Sequence, residues 1–403
     1  MKRWRYQFLP AMLIAQYLFF GLQLGTTGVL WEAVRSAHAL DARSFGIILL
    51  ITPLTGFGLL SLSSLITTKI SRRWLGSLGL LCSLAGSCGV ALAPDFALLI
   101  GARILCGLGY GFTDAAVISS ALAWERSQSK PLLGRIYASF GVGAIGGALS
   151  GGWLLSINWH FSAVLLLQLP IGLLLLLGVL ISPSQANTST AQQPTALRLP
   201  WRHAHIRALV LLSLGGALAE ALTTGWLVIH LHHLGSGPFF ASAAYAASEI
   251  SLIVGRMSTP YIQRRLGIQR TLLTAAVLLL CGAALLSSSH PFTSAAAFAV
   301  IGLGIAALTP LTLSLSQQIM PHAGDQITRL LLAVGYLGFI VAGPLGGLLV
   351  GYLQTTTMLI VSLSSIALLI AGLSGTGSLR TQEALGGGEG TAQVLAHHTS
   401  RQQ

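Results

Sequence analysis

The sequence predicts an all-α membrane protein with twelve transmembrane helices in two six-helix pseudo-repeats and both termini cytoplasmic. Three observations predict this. Only 8% of the 403 residues are charged and 53% are hydrophobic, with a mean hydropathy of +0.77, whereas soluble domains carry about 25% charged residues. Apolar runs long enough to cross a bilayer recur along the whole chain. Lys and Arg collect in alternate loops, so the net charge of +12 reads as membrane topology and not as a nucleic-acid surface.

Taken in order, the first apolar segment (8–30) follows the basic start MKRWRYQFLP. It is too long for a signal-peptide core and lacks a small-x-small cleavage site, so it is expected to span. Further segments lie at 43–67, 75–93, 96–120, 134–156 and 161–181. After a Ser/Thr/Gln/Pro-rich stretch they resume at 206–231, 239–261, 271–288, 293–316, 326–352 and 355–374. This divides the chain into an N-terminal bundle (1–181), a cytoplasmic linker (182–205), a C-terminal bundle (206–374) and a polar, Gly-rich tail (375–403) expected to be disordered. With the N-terminus inside, all 22 Lys and Arg except Arg35, Arg43 and the intramembrane Arg103 fall on the cytoplasmic side. The four cysteines, Cys82, Cys88, Cys106 and Cys281, all sit in apolar segments and read as small buried residues.

The halves repeat. Gly143, Gly147 and Gly151 reappear as Gly343, Gly347 and Gly351. Gly107 and Gly109 reappear as Gly302 and Gly304, and Arg72-Arg73 as Arg264-Arg265. A six-helix repeat is the signature of a carrier whose halves rock about a midplane site. Glycines every fourth residue, with Pro344 beside Gly343, suit close-packed helices at a seam between those halves.

Charges inside an apolar segment mark candidate sites, because they persist only where they face protein or water. Arg103, Gly107, Tyr110 and Asp114 fall on one stripe of the fourth segment, since eleven residues return a helix to nearly the same face. Glu220 and Glu249 sit midway along the seventh and eighth segments. A desolvated carboxyl group there suits proton exchange between two sides of a membrane. Glu249 and Arg256, seven apart, also suit a structural ion pair. Gln16, Gln23 and Thr27 form a polar stripe on the first segment. It fits either a polar solute path or interhelical hydrogen bonds. Trp31 and Trp226, near outer helix ends, suit ligand stacking or interface anchoring. His230, His232 and His233 lack a local carboxylate or Cys, so no metal or other cofactor is expected. Asp95 and Glu125 read as solvated loop charges.

The loop from Ser64 to Arg73 resembles the G-x-L-a-D-R-x-G-R-R gate motif of the major facilitator superfamily. Ser64, Thr68 and Ser71 replace the first Gly, the Asp and the second Gly, and the basic gate positions Lys69, Arg72 and Arg73 remain. A second copy runs from Gly255-Arg256 through Arg264, Arg265 and Gly267. Arg103 before Gly107 and Gly109 is similar to the R-x-x-x-G-x-G pattern, whose arginine is implicated in coupling in proton-coupled members. The segment 134–156 is close to the Gly-rich antiporter pattern, with Ala148 in place of its Pro. Asp114 after Gly109-Tyr-Gly-Phe, Glu220 six before Trp226, and Gly343-Pro344 resemble the fucose-permease-like branch of bacterial sugar and metabolite permeases. Gly225 stands where that pattern often has Asp.

The resemblance implies a secondary active permease in a bacterial inner membrane. It would move a small polar solute such as a sugar by alternating access with proton coupling. Arg103, Asp114, Glu220 and Glu249 would serve coupling and binding, with Gln16, Gln23, Tyr110 and Trp226 along the path. The expected partners are the lipid bilayer, one small solute and protons, with the chain acting as a monomer. Proton-antiport export of drugs or metabolites is the alternative within transporters, and a non-transporting solute sensor the alternative outside them. No nucleophile–base or metal constellation at one bilayer level suggests an intramembrane enzyme.

Overall fold

A computed structural model describes residues 2–61, 70–128, 130–182, 204–288, 290–319 and 324–349. The described residues are helical apart from short turns. A chain in lipid must satisfy its backbone N–H and C=O groups within the segment, and a helix does so. The helices are α1 (Lys2–Ala37), α2 (Ala42–Ser61), α3 (Arg72–Leu92), α4 (Phe96–Gln128), α5 (Leu133–Ser156), α6 (Phe161–Leu166) and α7 (Leu169–Ile181). They continue as α8 (Ala204–His233), α9 (Pro238–Leu286), α10 (Pro291–Ala306), α11 (Leu308–Ile319) and α12 (Gly324–Leu349).

Among the described residues, ten helical stretches are long and apolar enough to cross a membrane. One is α9, whose 49 residues are broken at Gly267 (φ 78°, ψ 165°), a backbone region essentially reserved for glycine. The break turns one continuous run into two arms that hold the expected segments 239–261 and 271–288. At Ala307, between α10 and α11, the backbone stays helical (φ −77°, ψ −23°), and the expected 293–316 segment runs across it as one membrane-length stretch, Pro291–Thr312. The last expected segment, 355–374, lies outside the described residues, as do Lys69, Gly351, the tail and most of the linker.

The helix ends are fastened locally. Asp41 Oδ1 accepts the Ser44 N–H at 3.0 Å, and that bonding holds its carboxyl below the usual carboxylate range. Asp95 and Glu125 do more than carry solvated charge. Asp95 Oδ1 accepts the Leu98 N–H at 2.8 Å and caps α4. Glu125 Oε1 accepts the backbone N–H groups of both Leu132 and Leu133. It thereby satisfies two orphan donors at the start of α5.

The repeat is visible in what the glycines touch. A Cβ on Gly143 would meet the Leu18 carbonyl oxygen and the Leu22 amide of α1. A Cβ on Gly338 would meet the Leu214 carbonyl oxygen and the Leu218 amide of α8. Gly107 faces Thr52 and Thr55 of α2, and Gly302 faces Ser248 and Ser251 of α9. Gly109 faces Ser83, and Gly304 faces Leu279. Each pair is 195 or 196 positions apart. The structural partner of Gly143 is therefore Gly338 and not Gly343, which corrects the offset of 200 drawn from the glycine spacing.

That shift also relocates the seam. Gly143, Gly147 and Gly151 pack against α1, within the first set of helices. The main contacts between the two sets run α5 to α9 and α2 to α12, with lighter ones from α1 to α8 and α9. There Gly152 sits against Ser242 and Pro238, and its counterpart Gly347 sits against Gly46 and Ala42. Gly343 and Gly46 oppose each other directly, with a Cβ on either falling 2.6 Å from the other's carbonyl oxygen, and Pro344 lies beside them. Both seams close at the ends of the helices that the charge pattern assigns to the outside.

Candidate functional site

Beneath these seams lies a cavity of about 350 Å³ between the two sets of helices. That volume is near the lower end of the ~300–1,000 Å³ typical of small-ligand sites. The long helices place its lining. Phe20, Thr27 and Trp31 come from α1, Thr52 and Pro53 from α2, and Arg103, Tyr110 and Asp114 from α4. Glu220 comes from α8, Tyr245, Glu249 and Arg256 from α9, and Tyr336 from α12.

An aromatic layer stands at the closed end. Trp31 meets Phe45 edge-on at 5.7 Å, and Phe45 meets Trp226 at 5.3 Å, bridging α1, α2 and α8. Trp226 is in this plug and does not line the cavity. Its buried Nε1 has no hydrogen-bond partner. Trp31 does line the cavity, and Arg103 lies over its ring at 4.6 Å. Arg103 is 5% exposed and its Nε has no partner. Among the described residues no carboxylate lies within salt-bridge distance of it. The cation–π contact is worth about 2 kcal/mol when desolvated, against a penalty of several kcal/mol for a buried ion.

Asp114 is eleven residues along α4, or about 16 Å. It accepts the Tyr17 hydroxyl hydrogen bond from α1, with Tyr137 and Tyr336 nearby. Gly107, expected on the same stripe, instead fits the α2 backbone. The stripe is thus narrower than helical phase alone indicates, because α2 covers its middle.

Across the cavity, Arg256 Nη2 donates to Glu220 Oε2 at 2.7 Å, tying α9 to α8. This corrects the expected Glu249–Arg256 pair. Seven residues put both on one face, but a carboxylate on another helix takes the cation. Glu249 instead lies beside Tyr245, one turn away, and in the field of Glu220.

The polar stripe of α1 divides. Thr27 lines the cavity. Gln16 and Gln23 are buried against α3, Gln23 donating to Ser87 Oγ at 3.4 Å and Gln16 lying beside Gly76. They are therefore off the path assigned to them, since α3 packs over that face. Arg73 reaches the Ser182 carbonyl at 3.5 Å, and Arg72 opens the same helix. Arg264 and Arg265 are exposed before the Gly267 break, with Arg265 over Tyr261 at 4.6 Å. His230 faces Ser294 Oγ at 3.4 Å.

Sequence reasoning missed Tyr17, Tyr336 and Phe20. Tyr17 adjoins Gln16 but falls one residue off the polar stripe read on the first segment, and Tyr336 sits among glycines that drew attention to packing. Phe20 packs against Tyr110 with ring centres 4.7 Å apart and the planes tilted by 40°.

A model of the Major Facilitator Superfamily matches residues 13–330. The chain is 26% identical over 342 residues to the uncharacterized transporter y4wD of Sinorhizobium fredii, covering 82% of this chain and 88% of that one. Among solved structures, the nucleoside transporter NupG superposes with a TM-score of 0.72 at 17% identity, over 92% of this chain and 98% of that one. A D-xylose–proton symporter superposes at 0.70 with 13% identity, over 91% and 97%. An inward-facing, unoccupied bacterial homologue of the lysosomal transporter Spinster gives 0.67 with 13% identity, over 92% and 94%.

Proposed function

The chain belongs to the Major Facilitator Superfamily, and from that premise we propose that it is a secondary active transporter of a small polar solute, working by alternating access and driven by protons. The observation that carries this reading is the cavity itself. It is shut at one end by two equivalent glycine seams and holds Asp114, Glu220 and Glu249 together with Arg103 and Arg256. A carrier of this kind needs a site between two bodies and an acid whose proton affinity depends on which side the site faces. The Glu220–Arg256 pair ties two helices of one set together at the cavity wall, so the charge of Glu220 holds Arg256 in place there.

In this reading the moving bodies are 1–181 and 206–374, with twelve spans, cytoplasmic termini and a bacterial inner membrane as the setting. The seams are then the outer gate, and the conformation is inward-facing. Arg72, Arg73, Arg264 and Arg265 flank the inner mouth. The solved neighbours named for nucleosides and xylose support a polar, ring-bearing solute, and the rings of Phe20, Tyr110 and Tyr336 give such a ring a surface.

Reconstituted protein should exchange labelled solute in counterflow, and a proton gradient should drive accumulation. Counterflow unaffected by dissipating the gradient, with accumulation lost, supports proton coupling. Accumulation indifferent to the gradient refutes it.

A further inference from the structure

The charges of the cavity do not balance locally. Glu220 neutralises Arg256. Asp114 is held by Tyr17 and lies eleven residues along α4 from Arg103, about 16 Å and beyond side-chain reach. Arg103 is left at the closed end as a buried cation with one face on Trp31, the Cys106 thiol beside it and, among the described residues, no carboxylate within salt-bridge distance. A guanidinium lying on an aromatic ring keeps its edge free, and that edge binds a carboxylate with two parallel N–H donors. The unpartnered Nε of Arg103 belongs to that edge.

We propose that the transported solute is a monocarboxylate whose carboxyl group docks on Arg103 against Trp31; this rests on the transport reading above. Glu249, the remaining acid of the cavity, is not within salt-bridge distance of Arg103 either, so at the closed end one positive charge without a carboxylate beside it matches one negative charge. A phosphate dianion would need a second free cation at this level, and Arg256 is already paired. Phe20 and Tyr110 flank the next turns toward the mouth and suit an apolar or ring-shaped body. Tyr245 and Glu249 face it from α9 and suit a hydroxyl or amine. The charge pattern also orients the solute, with its carboxylate leading to the closed end and away from Asp114.

The test uses purified full-length protein in detergent and matched pairs of probes: glucuronate with glucose, and benzoate, lactate and gluconate each with its amide. The expected result is that at least one acid raises the melting temperature of the wild type while its neutral twin does not. Arg103→Gln should weaken that acid's apparent Kd tenfold or more, and Arg103→Lys should weaken it less. Arg103→Met should raise the melting temperature of the unliganded protein, because it removes a buried charge that lacks a partner. This readout also guards against a variant that merely fails to fold.

The proposal is overturned if no acid outperforms its twin. It is equally overturned if Arg103→Gln binds the acid as the wild type does, or if Arg103→Met lowers the unliganded melting temperature. Counterflow separates the two readings. Exchange of a neutral solute that ignores Arg103→Gln removes the anion site and keeps the transporter. An acid that binds with Arg103 dependence, in protein that exchanges no solute, keeps the site and removes the transporter.

Discussion

Adding one methyl group at Gly343 should bias which side of the protein opens. In the conformation described, a Cβ there would lie 2.6 Å from the Gly46 carbonyl oxygen and 2.9 Å from both Leu49 Cβ and the Leu50 amide nitrogen. Two of those three atoms are backbone, so the seam must part to admit it. Overpacking of this kind costs about 1–3 kcal/mol. Here the cost falls on the closed seam alone, which corresponds to a shift of about 5- to 150-fold toward the alternative state. Gly143→Ala provides the control. Its Cβ also meets backbone, but on α1 within the same set of helices, so it should lower thermal stability without favouring either side. The assay places a single cysteine at Thr27, which lines the cavity below the seam, in a background where Cys82, Cys88, Cys106 and Cys281 are replaced. Intact cells are then treated with a membrane-impermeant thiol reagent. Gly343→Ala should raise the labelling rate at least fivefold, and Gly143→Ala should leave it unchanged. Equal labelling in the two variants would refute the assignment of α2–α12 as a gate.

The remaining predictions concern the charges and the break in α9. Glu220→Gln should abolish proton-driven accumulation, and full accumulation by that variant would sink its coupling role. Because Arg256 is 41% exposed, the pair contributes at most about 1 kcal/mol to stability, so the melting temperature should move by only a few degrees. Tyr17→Phe and Asp114→Asn remove the two ends of one hydrogen bond. Their effects on counterflow should therefore not add, and a double variant as impaired as the product of the singles would show the residues act independently. Gly267→Ala should destabilise by about 1–3 kcal/mol, since φ 78° with ψ 165° excludes a Cβ. Unchanged thermal unfolding of that variant would show that the turn between the arms reads differently in solution.

The parts of the site legible in the sequence are those that a bilayer makes costly. Arg103, Asp114, Glu220 and Glu249 stand out because a charge in an apolar segment needs a special environment, and all four line the cavity. Trp226, Gln16 and Gln23 illustrate the converse. Each is an uncharged group at a plausible depth, and depth does not distinguish a helix face turned to the cavity from one turned to α3 or to Phe45. The Glu249–Arg256 spacing was sound helical geometry, yet Glu220 from another helix took the cation. Tyr17 carried no signal of its own, since a tyrosine in an apolar segment is unremarkable until a carboxylate faces it.

The sequence by itself determined that this chain is helical, membrane-embedded and internally repeated. Hydropathy, span length and charge placement are one-dimensional quantities imposed by the bilayer on each segment separately. Only the tertiary structure decided the register of the repeat, because glycine spacing matches at several offsets while the contact of Gly143 with α1 has its counterpart at Gly338 on α8. It likewise decided which glycines form the seam and which acid holds Arg256. It set Arg103 on Trp31 with no carboxylate within salt-bridge distance among the described residues. These depend on how separate helices are rotated and apposed, and that rotation is set by packing between segments far apart in the chain.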